Sequence, residues 1–489
     1  MSLFKDNKVL IWLKGILPFY LFTLLPLTTR GQVVLDIIRE SPGFSSCNYD
    51  VYPDSVPDNL TAAPRGKKPF YISHYGRHGS RYINRRSGYD IPYKMIVQAN
   101  GVDELTMMGK RVLKEMNFIL DDSENRWGDL TAKGKIQQLQ IARRMINRFP
   151  EVFADSAHVS AISTVVPRCI MSMESFLIGL SQQNPQLNMT MDASKRTQGY
   201  MNYQDPLLRV GKLTPEAQKA YDAYIASRVG NSRLMEMLFK NPDLVKELVD
   251  ETFFSYYLMK MGLFQLNTHL NKETFITDLF TAEDLYRMWQ IDNVLWYVRY
   301  GFCPLNGGDY PYTQRHLLRQ MIADADSCLR LDRPGAQLRF GHETVLLPLV
   351  CLLGINGYDL QTSNLEEIEA RGWWSSSVFP MGSNVQFIFY RRNPQDKDVL
   401  FKVLLNEQEA RLPIRTDCAP YYHWRDFRRY YLRKLDQYEK RRNRKLSIVN
   451  CQLYKYSIST SHTAMMWHRL PASTKKWNTE CMYFFLFSE

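Results

Sequence analysis

The sequence predicts an α/β fold, a sheet domain with helices on both faces that carries an inserted, mainly helical domain. Three observations predict it. Short β-type runs alternate with amphipathic helical stretches over residues 69–190 and 301–438. The stretch between them, residues 191–300, is helical in character from about 206 on, rich in Leu, Met, Lys and Glu and poor in Gly. Glycines beside cationic residues follow predicted strands, where α/β sheets bind ligands. A chain of 489 residues is also too long for one ordinary core.

The elements follow in order. Residues 1–31 read as a signal peptide: Lys5, Lys8 and Lys14 precede an apolar run at 15–27, and Thr28, Thr29 and Gly31 follow. Cleavage is expected near Gly31–Gln32, with export to the periplasm or the exterior. Lys14, Pro18 and Pro26 weigh against a membrane anchor, and no later stretch is apolar enough to span a bilayer. Residues 32–68, rich in Pro, Gly, Ser and Asn, read as an irregular arm. Residues 68–74 are a β-type run that meets Gly76 and Gly79 at once. Residues 105–118 and 130–149 are helical by periodicity, with Thr106 and Thr131 as N-caps and Gly109 and Gly134 in the first turns. A second strand is expected at 158–166 and a helix at 168–180. A third strand at 336–340 enters a helix at 346–353, and 385–391 and 399–406 form a hairpin or neighbouring strands. Residues 439–489 are a basic tail, with Lys and Arg crowded at 440–445 and no clear period; no function is built on it.

Composition removes several classes. With 45% hydrophobic and 23% charged residues the chain is neither disordered, collagenous nor a multi-span membrane protein. The net charge of +12 invites a nucleic-acid partner. Nine Lys/Arg against two Glu in 440–489, and four Lys/Arg against one Asp in 1–31, leave only +2 on residues 32–439. A nearly neutral body excludes tracking a phosphate backbone. The eight Cys contain no C-x-x-C, which argues against a structural zinc site or a thioredoxin-type pair. Cys351, in an apolar run, reads as a core thiol. The P-loop, G-x-G-x-x-G and G-x-S-x-G patterns are missing, and His342-Glu343 fails as H-E-x-x-H because Leu346 holds the second His position.

What remains is Tyr75-Gly76-Arg77-His78-Gly79-Ser80-Arg81-Tyr82 at a strand end. Arg forks match phosphate oxygens, and a neutral imidazole between them can attack phosphorus while the cations hold the developing charge. The same residues fit a solvated basic turn. Arg339-Phe340-Gly341-His342-Glu343-Thr344 lies at another strand-to-helix junction. There a protonated Glu343 suits a general acid and His342 a phosphate hydrogen bond; Glu343 could equally complement a helix dipole. Ser163 to Arg168 puts a further Arg after a strand.

These three motifs, in this order, resemble the histidine acid phosphatases, the branch of the histidine phosphatase superfamily with an R-H-G-x-R loop. The resemblance runs from about residue 69 to 438. Within the family, the segments around 143–153 and 168–176 and L-R-F-G-H-E-T look most like multiple inositol polyphosphate phosphatases, which are phytase-like. It implies that His78 is the nucleophile, forming a phosphohistidine. Arg77, Arg81, Arg168 and His342 would bind the phosphate and Glu343 would be the proton donor, with no metal and no cofactor. It also implies a helical domain over an α/β sheet domain. Family members carry H-D or H-A-E where this chain has H-E. Arg85, Arg86, Lys195 and Arg196 are possible contacts to a polyphosphorylated ring or plain surface charges. The expected function is thus an exported phosphomonoesterase acting on inositol polyphosphates, a phosphorylated small molecule and not a nucleic acid. The alternatives are a broad-specificity acid or sugar-phosphate phosphatase and a non-catalytic phosphate- or polyanion-binding protein.

Overall fold

The computed structural model describes residues 27–463 except 204, 206, 207 and 209–211, with side chains described between 32 and 444 except at those positions and at 271. The chain divides into two units, residues 1–424 and 425–489. In the first, eight strands form one sheet: β1 (Lys68–Arg77), β2 (His158–Ser163), β3 (Asn188–Asp192), β4 (Gly335–Gly341), β5 (Asn384–Arg391), β6 (Leu400–Leu405), β7 (Gln408–Ala410) and β8 (Tyr422–His423). Their order is β3-β2-β4-β1-β5-β6-β7, with β8 on β6. The four strands from β3 to β1 run parallel, and β5 turns antiparallel against β1. The carboxyl ends of β1, β4 and β2 therefore share one edge, with Arg77 opposite Gly341 and Ser163 opposite Phe340.

Central strands covered on both faces read as unbroken buried runs rather than alternating ones. β5 and β6 are buried along their whole length and β1 from its second residue on. On one face Ile72, Val159, Leu338, Phe340 and Ile388 meet Ile141, Met145, Phe176 and Leu180 of the helices Ala132–Arg148 and Pro167–Ser181. Each such side chain contributes about 1.5–3 kcal/mol on burial.

The expected N-caps form: Thr106 and Thr131 accept from the amides of Gly109 and Gly134 at 3.0 and 3.1 Å. The glycine at 134 has a second reason. A Cβ there would lie 2.2 Å from the Ser80 carbonyl, so this helix start presses on the loop after β1.

The structure departs from expectation in several elements. Part of the supposed irregular arm is ordered, as the helix Leu27–Glu40 and the 3-10 segment Pro42–Tyr49. Val34 and Ile38, four apart, give that helix a buried stripe that the local composition conceals. The expected cleavage point at Gly31–Gln32 falls inside this helix, and the rest of the expected signal, residues 1–26, lies outside the described residues. β3 extends past residue 190, and the helices Ser87–Gly101 and Arg315–Cys328 were not expected. Between 191 and 300 lie Pro215–Ala226, Ser232–Leu238, Glu251–Phe264 and Ala282–Tyr300, joined partly by 3-10 turns.

The second unit continues the helix Trp424–Thr463, so the aperiodic tail is helical over that part; residues 464–489, with Trp467 and Trp477, lie outside the described residues. Cys351 is fully buried, as a core thiol should be. No helix among the described residues is long and apolar enough to cross a membrane.

Candidate active site

The site forms where β1 and β4 end side by side. His78 follows β1 directly; its amide donates to Gly341 O at 3.0 Å and its carbonyl accepts from Gly382 N at 2.9 Å. Two neighbouring segments of the chain thus fix the backbone of this one residue. Its imidazole Nδ1 stands 2.8 Å from Gly79 O. A carbonyl only accepts, so Nδ1 carries the hydrogen and Nε2 keeps its lone pair. That Nε2 is buried with no hydrogen-bond partner among the described residues. Burial holds the His78 pKa well below the ordinary histidine value, outweighing the opposing pull of the Glu343 carboxylate, with Arg168 and Arg77 acting in the same direction as burial. The ring is neutral.

Cations and one carboxylate surround it. Arg77 is fully buried, donating Nε–H to Glu343 Oε2 at 3.0 Å and Nη1–H to Phe379 O at 2.6 Å. Its Nη2 has no partner among the described residues. Arg81 donates from Nη1 to Tyr82 O at 3.0 Å, places Nη2 3.6 Å from Glu343 Oε1, and lies 5.3 Å from the Tyr49 ring centre. Arg168, in the first turn of the helix after β2, sets Nη2 3.5 Å from His342 Nδ1. The His342 ring is 5.8 Å from that of His78, and its Nε2 is 3.2 Å from Thr164 Oγ1. Burial, with Arg168 next, lowers its pKa to about 3.

Glu343 Oε2 stands 3.6 Å from His78 Nε2. Burial alone would raise this carboxyl, but Arg77, His78 and Arg81 outweigh it and hold Glu343 well below the usual carboxylate range. Burial similarly brings Arg77 down to about 10 against the pull of Glu343.

The structure thus brings Arg77, His78, Arg81, Arg168, His342 and Glu343 together. Lys195 and Arg196 lie exposed in a short 3-10 turn after the carboxyl end of β3, on the same side of the sheet. Arg86 is exposed and pairs with Asp90 at 3.3 Å and Glu124 at 3.8 Å, as a surface charge does; Arg85 is half-buried.

Sequence reasoning missed the residues that shape the loop. Gln138 Nε2 donates to Arg77 O at 3.0 Å, Ser80 N donates to Gln137 Oε1 at 2.8 Å, and Gly79 N to Ser172 Oγ at 3.1 Å. Two adjacent glutamines on the buried face of an otherwise apolar helix stripe were the available signal. Tyr75 is also new: a Cβ at Gly341 would sit 2.0 Å from its hydroxyl, which explains that glycine. Beside Tyr49 lies a cavity of about 220 Å³ lined by Asn48, Tyr256, Lys260, Trp296 and Arg299 among others.

One donor atom each from His78, His342 and Glu343 lies within 4.8 Å of the others, a spacing a metal could use. Three guanidinium groups around it make the same space a seat for an anion instead.

A mixed sheet with a cationic pocket at its parallel carboxyl edge, closed round a buried neutral histidine, defines an α/β protein of the histidine phosphatase type. Residues 76–406 match the sequence profile of the histidine phosphatase superfamily (branch 2), and the chain belongs to that family.

It is 22% identical over 304 residues to multiple inositol polyphosphate phosphatase 1 of Gallus gallus, covering 57% of this chain and 64% of that protein. It is 24% identical over 330 residues to the Homo sapiens protein of the same name, covering 62% and 66%. It thus spans a little less than two-thirds of either relative. Among solved structures, the Bifidobacterium longum multiple inositol polyphosphate phosphatase in complex with inositol hexasulfate superposes with a TM-score of 0.64 at 17% identity, over 78% of this chain and 96% of that one. The phytase from D. castellii gives 0.58 at 14%, over 80% and 85%. The sheet and the helices around it are the fold of those enzymes.

Proposed function

We propose that the protein is a phosphomonoesterase that removes phosphate from inositol polyphosphates, phytate among them, by way of a phosphohistidine at His78. The observation that carries this is the buried Nε2 without a hydrogen bond among the described residues, its lone pair fixed by the Nδ1 contact to Gly79 O and facing Glu343 at 3.6 Å, the carboxylate that Arg77 and Arg81 hold. The lone pair attacks phosphorus and the bond from phosphorus to the ester oxygen breaks. Arg77, Arg81 and Arg168, with His342, hold the phosphoryl oxygens. Glu343 gives its proton to the departing alkoxide, then takes one from the water that hydrolyses the N–P bond and releases inorganic phosphate. The incoming phosphate competes with Glu343 for the arginines. A monoanionic ester brings a proton that the freed carboxylate can take. The second phosphate ionisation lies near pH 6, so activity should fall above it.

The names of the relatives support the inositol polyphosphate substrate. The cavity beside Tyr49, the ring that Arg81 faces, brings Arg299 to its wall as a cation for an outlying phosphate, while Lys260 there is already paired with Asp292. Residues 1–31 support export to the periplasm or exterior.

The test is phosphate release from inositol hexakisphosphate and from p-nitrophenyl phosphate, with EDTA, for the intact protein and His78→Ala. Activity on the hexakisphosphate that resists EDTA and disappears in the variant is expected. Activity on the simple ester alone would leave a broad-specificity phosphatase. Failure on both would leave a phosphate-binding protein whose Glu343 stays locked to Arg77.

A further inference from the structure

Away from the phosphate site, three side chains of different donor chemistry converge at the antiparallel end of the sheet. Asp417 and Cys418 lie in the loop between β7 and β8, and His423 lies on β8, which pairs with β6 through Leu400. One donor atom from each falls within 4.8 Å of the others. His423 Nε2 is 3.0 Å from Asp417 Oδ1 and 3.9 Å from Cys418 Sγ.

A second observation concerns the other face of the imidazole. His423 Nδ1 lies 2.8 Å from Oδ1 of Asp398, whose other oxygen is 3.5 Å from Lys67 Nζ. A carboxylate on the remote ring nitrogen fixes the tautomer and orientation of metal-binding histidines and makes Nε2 more basic. An imidazolium bridging two carboxylates would account for Asp398 and Asp417 alone. It leaves unexplained why a thiol joins them at ligand spacing; apart from that cluster the thiol meets the Thr416 hydroxyl at 3.3 Å and Tyr421 O at 3.5 Å, both of them weak contacts for sulfur.

We infer that Asp417, Cys418 and His423 bind a divalent cation of the zinc class, with Asp398 positioning the imidazole. Thiolate, imidazole and carboxylate together suit zinc rather than magnesium or calcium, and three protein ligands leave a fourth tetrahedral position for water. Binding forms bonds to Sγ, Nε2 and a carboxylate oxygen. It releases the thiol proton, and the Nε2 proton where the ring is charged, with no redox change. The loop carrying Asp417 and Cys418 would then be pinned to β8, which gives the ion a structural role distinct from phosphate transfer.

The test uses the full chain, reduced and freed of metal, carrying His78→Ala so that the phosphate site contributes less to metal binding. Zinc titration should give one tight equivalent and a higher melting temperature, and cobalt should give a thiolate-to-metal charge-transfer band. Cys418→Ser should lose the band and the equivalent, and His423→Gln the equivalent. Asp398→Asn should weaken binding by about 10–100-fold, and Cys303→Ser should change nothing. Metal-free circular dichroism of each variant, together with phosphatase activity of Cys418→Ser in the otherwise unaltered chain, checks that folding survives. Zinc binding that is absent, or that persists unchanged in folded Cys418→Ser and His423→Gln, overturns the inference. A Cys418 found in a disulfide by mass spectrometry does the same.

Discussion

Arg77 donates its Nε–H to Oε2 of Glu343 across 3.0 Å, and neither side chain is more than a tenth exposed. The pair joins the residue before the histidine on β1 to the first residue of the helix after β4, strands that run parallel and in register at this point. A buried guanidinium and carboxylate stabilise each other only while both are present. The same guanidinium is one of the three that the proposed reaction assigns to the phosphoryl oxygens. In that reaction a phosphoryl oxygen competes with Glu343 for this guanidinium, whose Nη2 is the end left without a partner among the described residues.

Glu343→Gln tests the proton-donor role. An amide cannot protonate an alkoxide, so turnover of inositol phosphates should fall by about 10²–10⁴-fold. p-Nitrophenyl phosphate has a leaving group that departs without a proton, and its turnover should change far less. The check is kcat on both substrates in one preparation; equal losses on both would remove the general-acid assignment.

Arg77→Ala should strip the buried Glu343 carboxylate of its nearest cation, leaving Arg81 at 3.6 Å, at a cost of up to about 3–5 kcal/mol. Adding Glu343→Gln should recover much of that stability, because the charge that needed Arg77 is then gone. Neither variant should recover phosphatase activity. Urea unfolding gives the two stabilities, and a double variant no more stable than Arg77→Ala would show that the pair is not what holds this corner.

Gly134→Ala acts at a distance from the chemistry. Its new Cβ would meet Ser80 O at 2.2 Å and Ser80 N at 2.8 Å, within the R-H-G-x-R loop. Backbone is on both sides of this contact, so neither partner can swing aside. Overpacking of this kind costs about 1–3 kcal/mol. The loop shift should reduce kcat/KM for inositol hexakisphosphate by about tenfold or more, since small misplacements of reacting groups are expensive. Gly101→Ala, whose Cβ meets nothing within 4 Å, is the control.

The sequence made this loop legible because its signals are local: two arginines and a histidine within five residues, glycines beside them, and a β-type run in front. The Thr106 and Thr131 caps were legible for the same reason. Gln137, Gln138 and Ser172 were not, because a polar residue on a helix acquires meaning only when packing turns it toward a particular amide. β3 escaped notice because Asn188–Asp192 is a mostly exposed edge strand without clean alternation. The Asp417, Cys418 and His423 cluster carries no spacing signature; it depends on how the loop folds back on β8.

Acid should weaken the protein through its buried histidines. Burial brings His74, held among Phe176 and Phe340, down to about 3, and His342 reaches about 3 as well. In the unfolded chain both would titrate near 6.5. Between those values the unfolded state binds more protons than the folded one, so stability rises with pH and drains away as pH falls. Each residue contributes a slope of up to about 1.4 kcal/mol per pH unit. Unfolding free energies measured by urea at several points from pH 7 to pH 4 should show it. His74→Gln, which touches neither the arginines nor the nucleophile, should reduce that slope by about 1.4 kcal/mol per pH unit whatever it does to stability at pH 7. A variant curve parallel to the parent's would mean that His74 is protonated in the fold, and that the acid limit of the protein lies elsewhere.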